Sequence, residues 1–438
     1  GGMEGLTEES QKKYEGKSIG DPYFELDEAR LRFLGGSSNH WGGTCRTFDE
    51  YDFENKFANN FTKWPINKND LDLYLNDSLK ILGLNYKKDK PEFNDMGYKK
   101  IYLMHSNKLL FNEMFRDIIY SSDNVFTVLD ANVKYLRTNG NSIDKVSVTN
   151  TDNQNKFIKA SFYILATGGI ENSRLLLWSN FKTNNQIVKN TKTLGKYWME
   201  HPQAEIGDAV IDLENDFGKT LFKKNDGVPN IAPTIKTINE ISTLNYRLVF
   251  HKFQYKNSTK KLIADIGCVA PVLSQWFFKQ FDKNLVCGTR IEANWEIEPN
   301  ENNRIELSSE NLDRFGVPRV NLYYKKTNND WENVRKIAVH FANSLAKLNY
   351  GRFRFDTWLD NPISYRVNED RNGYHHMGGT RMADTHDYGV VDKDCKVFGQ
   401  SNLYVLGSSV FPSSGHAHPT LTILQLSLRL ANHLKNKI

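Results

Sequence analysis

The chain has 438 residues, of which 39% are hydrophobic and 25% charged, and a formal net charge of +5. That length calls for roughly two to three domains, and the composition is ordinary for a globular fold. No stretch approaches the roughly 18 uninterrupted apolar residues of a membrane-crossing helix, and no basic stripe marks a nucleic-acid binder. No secretory leader opens the chain, so a cytoplasmic location is expected. The cysteines Cys45, Cys268, Cys287 and Cys395 form no CxxC pair. This argues against a disulfide scaffold or a cysteine zinc site and fits a reducing compartment.

Three segments carry regular pattern and glycine punctuation. The first, ARLRFLGGSSNHWGGTCRTF at 29–48, sets two Gly pairs around a Ser-Ser-Asn-His-Trp core. In the second, strands are expected at Val125–Leu129, Val133–Leu136, Lys145–Val148 and Phe157–Lys159. An apolar run, Phe162–Ala166, follows, then Thr167-Gly168-Gly169 and a helix opening at Ile170. A strand, Gly turn and helix in that order brings backbone N–H groups to a ligand at a helix N-terminus. Between 200 and 330, short alternating runs such as Ala264–Val269 and Arg290–Ile297 predict a mostly antiparallel sheet. Val334, Ala338, Phe341 and Leu345 then recur at helical spacing within Trp331–Leu348. In the third segment, from 372 to 438, Asn402–Leu406 reads as a buried strand and Pro419 opens a helix reaching Leu434.

Chemistry concentrates near the C-terminus. Of the 11 histidines, His375, His376, His386, His416 and His418 fall there, beside Gly-Gly-Thr and Pro-Thr turns. For any one of them a satisfied core histidine competes with a functional role. A metal site drawing on these histidines and Cys395 lacks a common zinc spacing. Acyl hydrolysis by Ser408, Ser409, Ser413 or Ser414 lacks a GxSxG elbow. Proton abstraction remains: removing a carbinol hydrogen as hydride requires a base for the hydroxyl proton, and neutral His suits that task near pH 7.

The ordered motifs resemble the glucose-methanol-choline (GMC) oxidoreductases. They are Leu34-Gly35-Gly36-Ser37-Ser38-Asn39-His40-Trp41, Ala166 through Arg174, GKYWMEHP at 195–202 and Glu298-Pro299-Asn300 through Leu307. Tyr374 through Met382, Gly389 through Asp392, Asn402 through Val405, Ser408 through Pro412 and His418-Pro419-Thr420 complete the series. The resemblance implies an α/β fold: an FAD-binding Rossmann-like domain with an inserted α+β substrate domain containing an antiparallel sheet. The expected division is 1–66, 111–200 and 366–438 for the FAD domain, 67–110 for a connecting or lid region, and 201–365 for the substrate domain.

The same resemblance implies FAD as cofactor and a small alcohol or sugar as substrate, a sugar being favoured by the Asn-His-Trp loop. His376 matches the base that deprotonates the alcohol as hydride passes to flavin N5. His418 matches the second catalytic position, filled in members by His or Asn, and His375 is expected only to pack or hydrogen-bond. Gly35, Gly36, Ser37, Ser38 and Asn39 should wrap the flavin, with Trp41 and Gly42 beside it and Pro419 and Thr420 near its ring. His40 matches a histidine that some members link covalently to flavin; a hydrogen bond to the ring is the alternative. Thr167 and Gly168 belong to the second glycine motif, and Val133 should pack by the adenine. Gly407 and Ser408 match the strand end near the ribityl and pyrophosphate, where many members carry Asp. No motif identifies the electron acceptor.

The family's opening strand, GxGxxG, helix and second strand have no counterpart here, and Gly1-Gly2 resembles the pair that follows them. The chain is therefore expected to be cut at the end of the second strand, and to bind FAD weakly or not at all. It would then be an incomplete sequence of a full enzyme, or a truncated protein that is inert or completed by a partner. A non-catalytic binding or scaffold role is the rival reading.

Overall fold

The computed structural model describes residues 7–56, 63–107, 110–190, 192–223, 227–252, 262, 288–367 and 373–437. The alternating runs of the middle region build a seven-stranded sheet. Its order is Gly351–Phe355, Gln203–Ile211, Thr289–Trp295, Tyr246–Lys252, Asn230–Pro233, Tyr98–Ile101 and Lys90–Phe93, with every neighbouring pair antiparallel. Its last two strands come from the segment expected to be a connecting region. The expected run Ala264–Val269 lies outside the described residues.

The helix Asn328–Lys347 covers one face of this sheet. Thr327 and Asp330 form a capping box at its start, and Val334, Ala338, Phe341 and Leu345 are buried as their spacing predicts. Phe341 meets rings from three separated strands, with centroids 6.0 Å from Tyr98, 5.7 Å from Phe250 and 5.8 Å from Phe353. One aromatic side chain thus ties the helix to strands far apart in sequence.

The second layer is built differently. Strands Tyr163–Leu165 and Leu403–Val405 pair in parallel, although 238 positions separate Leu165 from Leu403 in numbering (403 − 165). The helix Glu171–Lys182 follows the first of them, and the helix Pro419–Lys435, with Pro at its start, follows the second. An antiparallel meander, Asn132–Asn139, Ser142–Thr149 and Asn155–Ile158, adjoins the pair. Asn402 fixes that junction, accepting from Ile143 N at 2.8 Å and donating to its carbonyl at 3.0 Å. A further sheet pairs Gly16–Gly20 in parallel with Pro318–Tyr324, which pairs antiparallel with Arg304–Leu312.

One expected strand does not form. Val125–Leu129 is irregular, with Phe126 89% exposed. Asp130 adopts a left-handed φ of 49° and accepts from Thr151 N and Oγ1, so the extended chain begins only at Asn132. A run of apolar residues without a partner strand leaves its backbone groups to water.

Phe341→Ala should lower unfolding stability by about 3–5 kcal/mol, because it empties a fully buried aromatic site. Urea titration followed by circular dichroism measures this, and an unchanged midpoint contradicts the packing described.

Candidate active site

The ends of the parallel strands are joined by one buried amide. Asn172, on the first turn of the helix Glu171–Lys182, accepts from Thr167 N at 2.9 Å and from Thr167 Oγ1 at 2.7 Å. Its Nδ2 donates to Leu406 O at 3.0 Å and to Ser409 Oγ at 2.9 Å. Ser409 Oγ in turn accepts from Thr380 Oγ1 at 2.7 Å, which brings the Gly-Gly-Thr turn to the same point.

The segment carrying His376 is held on both sides. Met199 and Met377 exchange backbone hydrogen bonds of 2.8 and 3.0 Å. Ser408 Oγ donates to the His376 carbonyl at 2.6 Å. Gly169 lies so close that a Cβ there would sit 2.1 Å from the His376 carbonyl oxygen. Only glycine permits that approach.

Gly168 (φ 99°) and Gly407 (φ 115°) both lie just past the carboxyl ends of the parallel strands. Gly168 has nothing within 4 Å of where a Cβ would project, and Gly407 has only Asn172 Nδ2 at 3.9 Å. In open α/β sheets this edge is where ligands bind. Two uncrowded glycines, with Thr167 and Ser408 beside them, fit a nucleotide cofactor laid across the strand ends.

The first glycine segment forms a short turn, Gly36–Asn39, entered through Gly35 at φ 86°. Buried Asn39 holds the turn, donating to Leu34 O at 2.6 Å and accepting from Asn112 N at 2.9 Å. Ser37 Oγ accepts from Leu31 N at 3.0 Å, and Ser38 donates to Gly35 O. His40 and Gly42 are exposed, and with Asn39 and Trp41 they line a cavity of about 940 Å³. Trp41 packs against the cluster of Cys45, Leu79, Leu82, Met104 and Leu421. That contact sets the turn beside the first turn of the final helix, which carries Pro419 and Thr420. Val133 is 41% exposed on its meander strand.

His376 is 8% exposed, and its Nε2 lies 3.0 Å from the Tyr23 hydroxyl. That hydroxyl donates to Glu200 Oε2 at 2.7 Å. Glu200 is fully buried, and its Oε1 accepts from the backbone N–H groups of His201 (2.8 Å) and His375 (2.7 Å). Burial pushes the Glu200 carboxyl up to about 7, against the help of Tyr23 and the two backbone donors. Burial, with the charge of Arg30 nearby, pulls His376 down to about 3. The imidazole is therefore neutral at physiological pH, with a lone pair free to accept.

His375 connects this group to His418. His201 Nε2 lies 3.0 Å from the Ser414 carbonyl, which can only accept, so His201 Nδ1 is the acceptor of its 2.9 Å contact with His375 Nδ1. His375 meets His418 edge-on, with ring centroids 5.3 Å apart. Arg247 flanks His418, with its guanidinium nitrogens 3.4 Å from both ring nitrogens, and is anchored on Asn294 Oδ1 at 2.9 Å. Burial and the Arg247 charge hold His418 well below the usual imidazole range. His376 and His418 are thus linked through His375 rather than touching.

The remaining histidines have other roles. His416 lies 3.3 Å from Asp49 in a buried charge network, and His386 is on the surface beside Asn190 and Asp387. Among the described residues no three His, Cys, Asp or Glu side chains converge as metal ligands. Cys395 is buried, its thiol pushed up to about 12. Ser408, Ser409 and Ser413 spend their hydroxyls on His376 O, on Asn172 and Thr380, and on Asp52 O, so none of these bonds is to an imidazole ring.

Four site residues were not legible as such in the sequence: Tyr23, Glu200, His201 and Arg247. Glu200 and His201 lie within the GKYWMEHP stretch, which gave a signal of place but not of role. Tyr23 and Arg247 belong to segments without any motif.

The strand–glycine–helix edge carries two neutral histidines, and comparison with known proteins shows what the chain is similar to. Residues 299–427, which include His376 and His418, match the family model for GMC oxidoreductase. The chain is similar to the fructose dehydrogenase large subunit of Gluconobacter japonicus, with 24% identity over 68% of this chain and 51% of that protein. It is similar to a C-glycoside 3-oxidase of Microbacterium trichothecenolyticum, with 23% identity over 72% of this chain and 54% of that protein. The chain thus spans about half the length of these curated relatives. A solved formate oxidase shares the fold over 93% of this chain and 84% of its own, with a TM-score of 0.55 and 14% identity. These findings bear out the expected class of fold, an FAD-type α/β layer with a substrate layer built on an antiparallel sheet. Among the described residues, no helix is long and apolar enough to cross a membrane.

Two predictions test this geometry. Gly169→Ala should destabilise the protein by about 1–3 kcal/mol, because the methyl meets backbone rather than a side chain that could move. A thermal midpoint equal to that of the parent would refute the close approach. The second concerns acid. His201 and His376 titrate at about 3 when folded, against about 6.5 when unfolded, so the unfolded chain binds more protons between those values. Stability should fall as pH drops from 6.5 toward 3. Glu200 acts oppositely, its contribution being lost as pH rises from 4.5 through about 7. Thermal midpoints measured across this range should drop on the acid side, and His201→Asn should flatten that drop.

Proposed function

We infer that the protein is an FAD-dependent oxidoreductase acting on the CH–OH group of an alcohol or sugar, with His376 as base and His418 assisting. The observation that carries this reading is a neutral, buried His376 whose backbone lies against Gly169, at the edge where a nucleotide cofactor fits. FAD, when bound, supplies the hydride acceptor at flavin N5.

Thr167, Gly168, Gly407 and Ser408 would hold the cofactor at the strand ends. Gly35, Gly36, Ser37, Ser38, Asn39, His40, Trp41 and Gly42 would line it along the first glycine turn. Val133 would pack by the adenine, and Pro419 and Thr420 would face the ring. His40 presents an exposed imidazole to a cavity, which suits either a covalent link or a hydrogen bond to the flavin.

His376 accepts the hydroxyl proton of the substrate. Its low folded pKa reflects a dry site in which charge developing on the substrate oxygen is poorly screened. His418, kept neutral beside Arg247, orients the alcohol. The Arg247 guanidinium contributes positive potential where an alkoxide would develop. A polyhydroxylated substrate is favoured by the names of the relatives, fructose dehydrogenase and C-glycoside 3-oxidase.

The test is anaerobic mixing of the FAD-loaded protein with fructose, glucose, a C-glycoside and a 1,2-diol, followed by absorbance of the oxidised flavin. At least one polyol should bleach it. His376→Ala should slow bleaching by about 100-fold or more while leaving flavin bound. Normal reduction in that variant overturns the assignment of the base. Bound flavin that no alcohol reduces points instead to a binding or scaffold role. Flavin that stays with the protein after denaturation, and is lost in His40→Ala, identifies the covalent link.

A further inference from the structure

The three-membered chain His376–Tyr23–Glu200 contains more hydrogen-bonding sites than hydrogens. A phenol has one hydrogen and an ionised carboxylate has none. When Glu200 is ionised, the Tyr23 hydrogen points to Oε2, and the phenol oxygen can only accept from His376 Nε2. The ring hydrogen is then on Nε2, and Nδ1 carries the free lone pair. When Glu200 holds a proton and donates it to the phenol oxygen, the Tyr23 hydrogen turns to Nε2. The ring hydrogen must then sit on Nδ1. The tautomer of His376 follows the proton on Glu200.

We propose that Tyr23 and Glu200 are positioning residues that select which ring nitrogen of His376 is free, the carboxylate form of Glu200 leaving Nδ1 as the basic atom. This rests on the reading of His376 as the base. Glu200 also grips the chain directly: its Oε1 accepts from the N–H of His375, the residue preceding the base. One carboxylate therefore sets both the placement of the ring and the location of its hydrogen.

The surroundings favour this coupling. Tyr23 is enclosed by Phe24, Trp198 and Tyr324, with ring centroids at 5.3, 5.4 and 5.5 Å. Trp198 also stands 5.9 Å from the His376 ring. The charged and titratable groups around the chain are few. Arg30 acts on His376 from one side and is itself paired with Glu171 at 2.6 Å. His201 and His375 meet Glu200 through their backbone N–H groups, and Tyr374 and Tyr324 lie near Tyr23. Glu200 titrates at about 7, so both of its states are accessible near neutrality.

During turnover the proton count closes within the chain. The alcohol proton moves to Nδ1, the Nε2 hydrogen passes to the Tyr23 oxygen, and the Tyr23 hydrogen passes to Glu200 Oε2. His376 ends neutral and Glu200 ends as the acid, while the carbinol hydrogen leaves with its electron pair for the flavin of the proposed function.

Long-range proton–nitrogen correlation spectra of the ¹⁵N-histidine-labelled protein read the tautomer directly, assigned with His376→Gln. The His376 ring should pass from the Nδ1–H form to the Nε2–H form as pH rises through about 7. Glu200→Gln should hold the Nδ1–H form at every pH, because the amide donates to Tyr23 permanently. Tyr23→Phe should remove the pH dependence altogether. In the FAD-loaded protein, Glu200→Gln should lower the limiting rate of flavin reduction by about 100-fold, with little change in KM. A His376 tautomer that ignores both substitutions overturns the proposal, whether or not the protein oxidises alcohols. Coupled tautomers in a protein that no alcohol reduces would leave the positioning chain standing and refute the catalytic reading of His376 instead.

Discussion

The site depends on the close approach of two backbones, at Gly169 and His376. These residues are 207 positions apart (376 − 169), yet no Cβ fits between them. Around this contact, Asn172 spends both ends of its amide on joining the ends of the parallel strands, and Ser409 extends the junction to Thr380. An unpaired buried amide is costly, so each of these bonds constrains the others. The turn that bears His376 is fixed as a consequence of how the strand ends are satisfied.

The electrostatics follow from the same burial. His376, His201, His375 and His418 all lie where an imidazolium would be desolvated, and each is pulled below its ordinary range. Glu200 is pushed the opposite way by the same cause. A dry pocket therefore turns histidines into neutral acceptors and makes a carboxyl titrate near neutrality. Those two shifts make the region suited to moving a proton, and the lowered histidines cost acid stability in return.

Much of the layer structure was legible. Amphipathic spacing located the helix Asn328–Lys347, alternation located the strand Thr289–Trp295, and Pro419 marked the start of the final helix. Each of these rests on a periodicity or a local backbone constraint that the residues carry with them. Val125–Leu129 failed because apolar content says nothing of whether a partner strand exists, and Asp130 turns the chain before pairing starts. The sheet also drew in Lys90–Phe93 and Tyr98–Ile101, which no local pattern could have assigned to it.

The sequence by itself determined where the histidines cluster, the order of the glycine turns and the class of fold. Those features are local: a residue type, a spacing, a backbone that must be glycine. Tertiary structure alone decided which groups stand against His376. Tyr23 reaches His376 across 353 positions (376 − 23) and Glu200 reaches Tyr23 across 177 (200 − 23). No periodicity links such residues. Their meeting depends on where separate strands end, and their protonation depends on how completely water is excluded once they meet.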